Sequence, residues 1–214
     1  MRERGVFVSL EGGEGAGKTT VAELIFELLV AKGWRVMKTR EPGGIDIAEK
    51  IRTIILDPEH TAMEARTEAL LYAAARRQHL IEKVLPALQE GYIVLCDRFV
   101  DSSLAYQGAA RGIGIDEVFS INAFAIENQM PDLTLLLDIK PEDGMARIHG
   151  NENREYNRLD REKMEFHHKV YEAYQEISAR FPERIHKIDA NRPAEEVAAE
   201  VGAVLTAYLV KHFK

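Results

Sequence analysis

The chain has 214 residues, 46% hydrophobic and 29% charged, with 28 Lys and Arg against 35 Asp and Glu for a formal charge of −7. That balance suits one domain with a full-sized core and excludes disordered, collagen-like and low-complexity classes. An acidic chain with a pI near 5.6 has no broad basic field for a nucleic-acid polymer, so any anion it binds is held by a few local cations.

Taken in chain order, residues 6–10 form a short apolar run ending at Glu11 and a set of glycines, the pattern of a strand buried on both faces. Val21, Leu24, Ile25, Leu28 and Leu29 then repeat at helical spacing, with Gly33 as the stop. A second strand is expected over 34–39, a helix over 47–56, and a longer helix over 64–89 with Pro86 as its bend or break. Strands follow at 92–96, 133–139 and 185–188, with helices over 116–129, 161–179 and from Ala194. Five strands with helical crossovers predict an α/β parallel sheet, and the absence of repeats or linkers predicts a single domain over 1–214. The lone cysteine, Cys96, sits inside an apolar run and reads as a small buried hydrophobe. Residues 1–5 lead into too short an apolar stretch for a signal peptide and no segment has membrane-spanning length, so a reducing cytoplasm and no membrane partner are expected.

Gly12, Gly13, Glu14, Gly15, Ala16, Gly17, Lys18 and Thr19 match G-x-x-x-x-G-K-[ST] between a strand and an amphipathic helix. Glycines let backbone N–H groups turn around phosphate oxygens while the positive end of the helix dipole faces the same anion. Lys18 can reach the β- and γ-phosphates, and the Thr19 hydroxyl can ligate Mg²⁺. These residues with Thr20 form the expected ATP site. A GTPase would usually carry Asn-Lys-x-Asp, which does not occur, and a motor would bring further domains; a small kinase fits the length.

Asp97-Arg98 closes the strand at 92–96, where open parallel sheets bind ligands. Asp97 can orient Mg²⁺ or its waters, and Arg98 can clamp a second phosphate with its bidentate fork. Tyr72 and Arg76 stand four apart on one helix face, a ring for a base beside a guanidinium for a phosphate. Ser103 and Gln107, also four apart, offer a hydroxyl and an amide to a base edge.

Glu11 through Thr20, Thr39-Arg40-Glu41-Pro42-Gly43-Gly44, Asp97-Arg98-Phe99, the segment Ser102-Ser103-Leu104-Ala105-Tyr106-Gln107-Gly108 and Arg158-Leu159-Asp160 together closely resemble the bacterial thymidylate kinases. The resemblance implies the P-loop NTPase fold with sheet order 2-3-1-4-5 and a lid over about 150–161. It implies transfer of the γ-phosphoryl of ATP to dTMP, with Mg²⁺, in a homodimer. It places Tyr72 on thymine, where the family more often has Phe, Arg76 and Arg98 on the dTMP phosphate, Arg52 beside the base, and Ser103 and Gln107 on the thymine edge. Tyr106 would crowd a ribose 2′-hydroxyl, Glu14 would meet the acceptor's sugar and phosphate, and Glu41 joins the dTMP set.

On composition alone the polar stretch 151–160 reads as a solvated loop. The resemblance makes it the lid, with Arg154 and Arg158 as candidate catalytic arginines, because the phosphate loop carries Glu14, Gly15 and Ala16 and no arginine. His167 and His168 read as solvated side chains. Asp189-Ala190-Asn191-Arg192-Pro193 is either a wall for adenine or simply a turn. Another P-loop deoxynucleoside monophosphate kinase and a nucleotide-dependent switch module are the competing functions.

Overall fold

The computed structural model describes residues 4–149, 159 and 162–213. Five parallel strands form one sheet, β1 (Phe7–Glu11), β2 (Val36–Arg40), β3 (Ile93–Asp97), β4 (Leu133–Asp138) and β5 (Ile185–Asp189), in the order β2-β3-β1-β4-β5. The expected order and class are thus observed, with strand edges shifted by at most two residues.

Side chains on the central strands alternate between two cores. Val8 and Leu10 of β1, Ile93 and Leu95 of β3 and Leu133, Leu135 and Leu137 of β4 face one cluster. It is completed by α1 (Lys18–Ala31) and α9 (Ala194–His212), through Val21, Ile25, Leu29, Val201, Leu205 and Leu209. Phe7, Val94, Cys96 and Leu136 face the other, which is closed by α3 (Ala65–His79), α6 (Ile115–Ile126) and α8 (Met164–Arg180). Burial on both faces explains why these strands read as continuous apolar runs.

Helix ends follow local chemistry. Glu64 caps α3 by accepting from the N–H groups of Arg66 and Thr67 at 2.8 and 3.2 Å. Helix α1 begins after Gly17 with no side-chain cap, which leaves its first N–H groups for an anion. Helix α2 (Asp46–Leu56) carries Arg52, and the short α7 (Pro141–His149) follows β4.

Three helical segments depart from the expected pattern. The helix expected over 64–89 continues from α3 through a π-helical turn at Leu80–Val84 into α4 (Leu85–Gln89). The wide turn lies just before Pro86, which has no N–H to offer an α-helical ladder. A second π-helical stretch, Leu104–Ala110, extends α5 (Val100–Ser103). Residues 104–108 are buried on every side, so the segment lacks the apolar stripe by which helices are recognised in sequence. Helix α7 was likewise not expected; it is short and contains Gly144.

Beneath α5 runs a buried polar strut. Asp101, 1% exposed, accepts from Arg184 at 2.7 and 2.9 Å, and Arg184 also donates to the Thr134 hydroxyl, which pairs with Ser9 at 2.8 Å. Removing one partner leaves a carboxylate uncompensated in the interior. Arg184→Met is therefore expected to lower unfolding free energy by about 3 kcal/mol in denaturant titration. A loss below about 1 kcal/mol would place the pair with weak surface bridges.

Candidate active site

Three neighbouring strands set the site. Register places Leu10 of β1 and Arg40 of β2 opposite Asp97 of β3, so the chain leaves the sheet at one level. The Arg98 N–H donates to the Leu10 carbonyl and the Glu41 N–H to the Asp97 carbonyl, each at 2.9 Å. Glu11, fully buried, accepts the Phe99 N–H at 2.7 Å, the Ser102 hydroxyl at 2.5 Å and the Tyr174 hydroxyl at 2.9 Å. Burial, followed by the charge of Asp101, raises its pKa against those hydrogen bonds. Its bond to Phe99 helps hold Arg98 in the left-handed region, φ 70°.

The phosphate loop needs its glycines for space as well as for backbone angle. At φ 146° a Cβ on Gly12 would stand 2.6 Å from the Leu137 carbonyl oxygen, and at φ 71° one on Gly15 would stand 2.0 Å from that of Gly144. Lys18 Nζ, folded back over the loop, donates to the carbonyls of Gly12 and Gly13 at 3.0 and 2.8 Å. Burial and then the positive charge of Arg98 lower its pKa to about 8. The Thr19 hydroxyl donates to Asp97 Oδ2 at 2.8 Å. These two hard oxygen donors beside the loop suit Mg²⁺.

A cavity of about 930 Å³ joins these parts. Glu14 through Thr20 line it from the loop, with Asp97 and Arg98 from the end of β3 and Glu41 and Arg52 from the β2–α2 side. Tyr72 and Arg76 come from α3, and Ser103, Tyr106 and Gln107 from the α5 and π-helical segment. Gly12 and Gly13 stand behind, bound through their carbonyls to Lys18. Arg98 is the bridge between the two ends. It donates to Glu14 Oε1 at 2.7 Å and to the Ser102 hydroxyl at 3.2 Å, and lies 4.9 Å over the Tyr106 ring. The Tyr106 hydroxyl donates to the same Glu14 oxygen at 3.0 Å, and burial pushes that phenol's pKa up.

Arg76 is held inside the protein. Its guanidinium is 2% exposed and donates to Glu41 Oε2 at 2.7 Å, the Ser103 hydroxyl at 3.0 Å, the Phe99 carbonyl at 2.9 Å and Asn122 Oδ1. Glu41 meets His79 Nδ1 at 2.8 Å, and His79 Nε2 meets the Thr39 hydroxyl at 2.7 Å. Glu41, His79 and Cys96 bring ligand atoms within 4.8 Å of one another. Both His79 nitrogens are engaged and burial pushes the Cys96 thiol well up, so the cluster is a hydrogen-bonded floor, and Cys96 is the buried hydrophobe expected.

His167 was expected in solvent. It is 5% exposed with its ring edge-on to Phe166, because it lines a narrow cleft with Gly13 and Glu14 of the phosphate loop and Pro141 and Met145 of α7; His168 is exposed and pairs with Glu142 at 3.1 Å. Residues 190–194 both lead into α9 and line the cavity, beside Arg147 of α7. Leu159, within the expected lid, is buried and lines the cavity, whereas Arg154 and Arg158 lie outside the described residues. The sequence reading missed Glu11 and Arg147 as parts of the site. Only Glu11 carried a signal, an acid ending an apolar strand immediately before the glycines.

A family model described as thymidylate kinase matches residues 10–201. A thymidylate kinase of Oceanobacillus iheyensis is 63% identical over 205 residues, covering 96% of this chain and 91% of that protein. One of Bacillus velezensis is 60% identical over 207 residues, covering 97% and 98%. The crystal structure of thymidylate kinase from Ehrlichia chaffeensis superposes with a TM-score of 0.76 at 30% identity, over 95% of this chain and 99% of that one.

The lowered Lys18 pKa has a measurable sign. Above about pH 8 the free amine is largely neutral, while a bound polyphosphate anion favours its charged form, so ATP binding takes up a proton. Calorimetry at pH 8.5 in two buffers of different ionisation enthalpy should detect that uptake, and ATP affinity should fall as pH rises further. Equal heats in both buffers would contradict it.

Proposed function

The chain belongs to the thymidylate kinase family, and from that premise we propose how its cavity divides between donor and acceptor. The reaction moves the γ-phosphoryl of ATP to dTMP, giving dTDP and ADP. The observation that carries the assignment is Arg98, which is bonded to the phosphate loop through Glu14 and to the acceptor-side helix through Ser102, at the meeting point of two anion sites.

On this reading Lys18 and the uncapped start of α1 hold the β- and γ-phosphates. Thr19 and Asp97 hold Mg²⁺, which when bound with ATP neutralises charge on its phosphates. Arg98 holds the dTMP phosphate. Second phosphate pKa values lie near 6, so the acceptor is largely dianionic at neutral pH and needs no general base. The protein's task is to keep two mutually repelling anions in line. Arg154 and Arg158, in a lid over about 150–161, are assigned to the transferred phosphoryl, whose outward oxygens Lys18 does not reach.

Tyr72 stacks on thymine and Arg52 flanks it, with Ser103 and Gln107 at its edge. Arg76, its donors largely committed to Glu41, Ser103, Asn122 and Phe99, serves the base end of the pocket more than the phosphate. Tyr106, pinned by Glu14, occupies the side of the sugar where a 2′-hydroxyl would project, and Glu14 is within reach of that sugar. Residues 190–193 and Arg147 wall the adenine.

The chain 1–214 acts as one domain, and no described helix is long and apolar enough to cross a membrane. A cytoplasmic homodimer is the working form, its contact placed on α3 and α6, which pack together and expose Leu70 at 57% and Phe124 at 90%.

ADP release by the purified chain should depend on dTMP. Arg98→Ala should raise KM for dTMP roughly 10- to 100-fold, the loss of a charged hydrogen bond of about 1.5–3 kcal/mol, and leave ATP affinity intact. Selective loss of ATP binding would reverse the assignment. Tyr72→Ala should raise KM for dTMP by the about 1–3 kcal/mol that base stacking is worth, with Tyr72→Phe nearly silent. Equal damage from both would make the hydroxyl the functional group.

A further inference from the structure

Gln107 lines the cavity, but its amide is controlled from behind. Its Nε2 donates to Glu68 Oε1 at 2.7 Å. Glu68, on α3, is 1% exposed and stands outside the cavity lining. An ionised carboxylate accepts hydrogen bonds and cannot donate one, so the Gln107 amide has a single favourable orientation, nitrogen toward Glu68 and oxygen away. Among the described residues no donor is paired with that oxygen. Arg111 steadies the acid: its Nε is 3.4 Å from both Glu68 oxygens, its NH1 is 2.6 Å from Glu162 Oε1, and its guanidinium lies 4.6 Å over the Phe166 ring. Ser103 accepts from Arg76, which leaves its own O–H to donate. The pocket wall therefore presents an acceptor at Gln107 and a donor at Ser103.

We propose that Glu68, held by Arg111, is a positioning residue that makes the acceptor pocket select a pyrimidine whose ring nitrogen carries a hydrogen over one whose ring nitrogen is a bare acceptor. The proposal rests on the assignment of this cavity to dTMP. Thymine presents N3–H beside a carbonyl, the complement of the Gln107 oxygen and the Ser103 hydroxyl. Cytosine presents a lone pair at N3 beside an amino group, so the amide oxygen would meet a lone pair and the hydroxyl would meet a donor. The amide cannot turn to suit cytosine, because its oxygen would then face the Glu68 carboxylate. A buried polar edge left unpaired is rejected far more strongly than a misfit of shape. Selectivity is thereby set by a residue that touches no substrate.

Glu68→Gln tests this, since a second amide can pair with Gln107 in either orientation. The ratio of kcat/KM for dTMP over dCMP should fall by about tenfold or more, through a higher KM for dTMP and new turnover of dCMP, while kcat for dTMP stays within about twofold. Glu68→Asp keeps an acceptor-only group and should hold the ratio close to that of the unaltered chain. If Glu68→Gln does not fold, the neutral pair Glu68→Gln with Arg111→Gln removes both buried charges together and is read the same way. An unchanged ratio in a folded variant, an equal fall of kcat with both nucleotides, or a loss in Glu68→Asp as large as in Glu68→Gln would overturn the proposal. Failure of the unaltered chain to phosphorylate dTMP would instead remove the cavity assignment, a result distinct from an active enzyme with an unchanged ratio.

Discussion

One buried carboxylate at the end of the central strand carries the rest of the site. Glu11 takes the Phe99 N–H, the Ser102 hydroxyl and the Tyr174 hydroxyl, and so ties the segment after β3, the start of α5 and the middle of α8 to the strand that precedes the phosphate loop. Arg98 sits inside that clamp with a backbone angle that a non-glycine residue rarely adopts. Such a conformation persists only where neighbouring bonds over-determine it, and here the Leu10 carbonyl holds the Arg98 N–H while Glu11 holds the next one.

Preorganised charge is the common theme of what the clamp supports. A chain of net charge −7 concentrates Lys18, Arg52, Arg76 and Arg98 around one cavity, each matched to a protein oxygen. Arg98 is matched by Glu14, Arg76 by Glu41, and Glu41 in turn by His79. Fixed partners hold these cations in place, so little reorganisation is needed when charge develops on a transferring phosphoryl. The same pairing limits what each cation can do: Arg76 has four bonds to protein, whereas Arg98, between the phosphate loop and α5, lines the cavity with two.

Steric needs and sheet register do the remaining placement. Gly15 lies against Gly144 so closely that neither tolerates a Cβ, which sets α7 directly on the phosphate loop and brings Arg147 to the cavity. Alignment of Leu10, Asp97 and Arg40 across β1, β3 and β2 brings the phosphate loop, the Thr19–Asp97 pair and the Glu41–His79 floor to one edge. This is the point at which connections diverge from the central strand of a doubly wound sheet.

The amino-acid sequence by itself determined the features whose physics is local. Apolar runs marked the central strands β1, β3 and β4 because these are buried on both faces, and the glycines, Lys18 and Thr19 marked the phosphate loop because its chemistry is confined to eight consecutive positions. Spacing of four put Tyr72 with Arg76 and Ser103 with Gln107 on common faces, and all four meet the cavity. Tertiary structure alone decided which partner each polar group takes. Glu11 finds Tyr174 across 163 positions, Gln107 finds Glu68 across 39, and Arg76 meets Glu41 and Asn122 from separate elements. His167 is buried because its face of α8 meets the phosphate loop and α7, and the segment 104–110 is helical without any apolar stripe. A buried polar side chain must satisfy its hydrogen bonds with whatever the packed fold brings beside it, and that neighbour is fixed by the three-dimensional arrangement of distant segments.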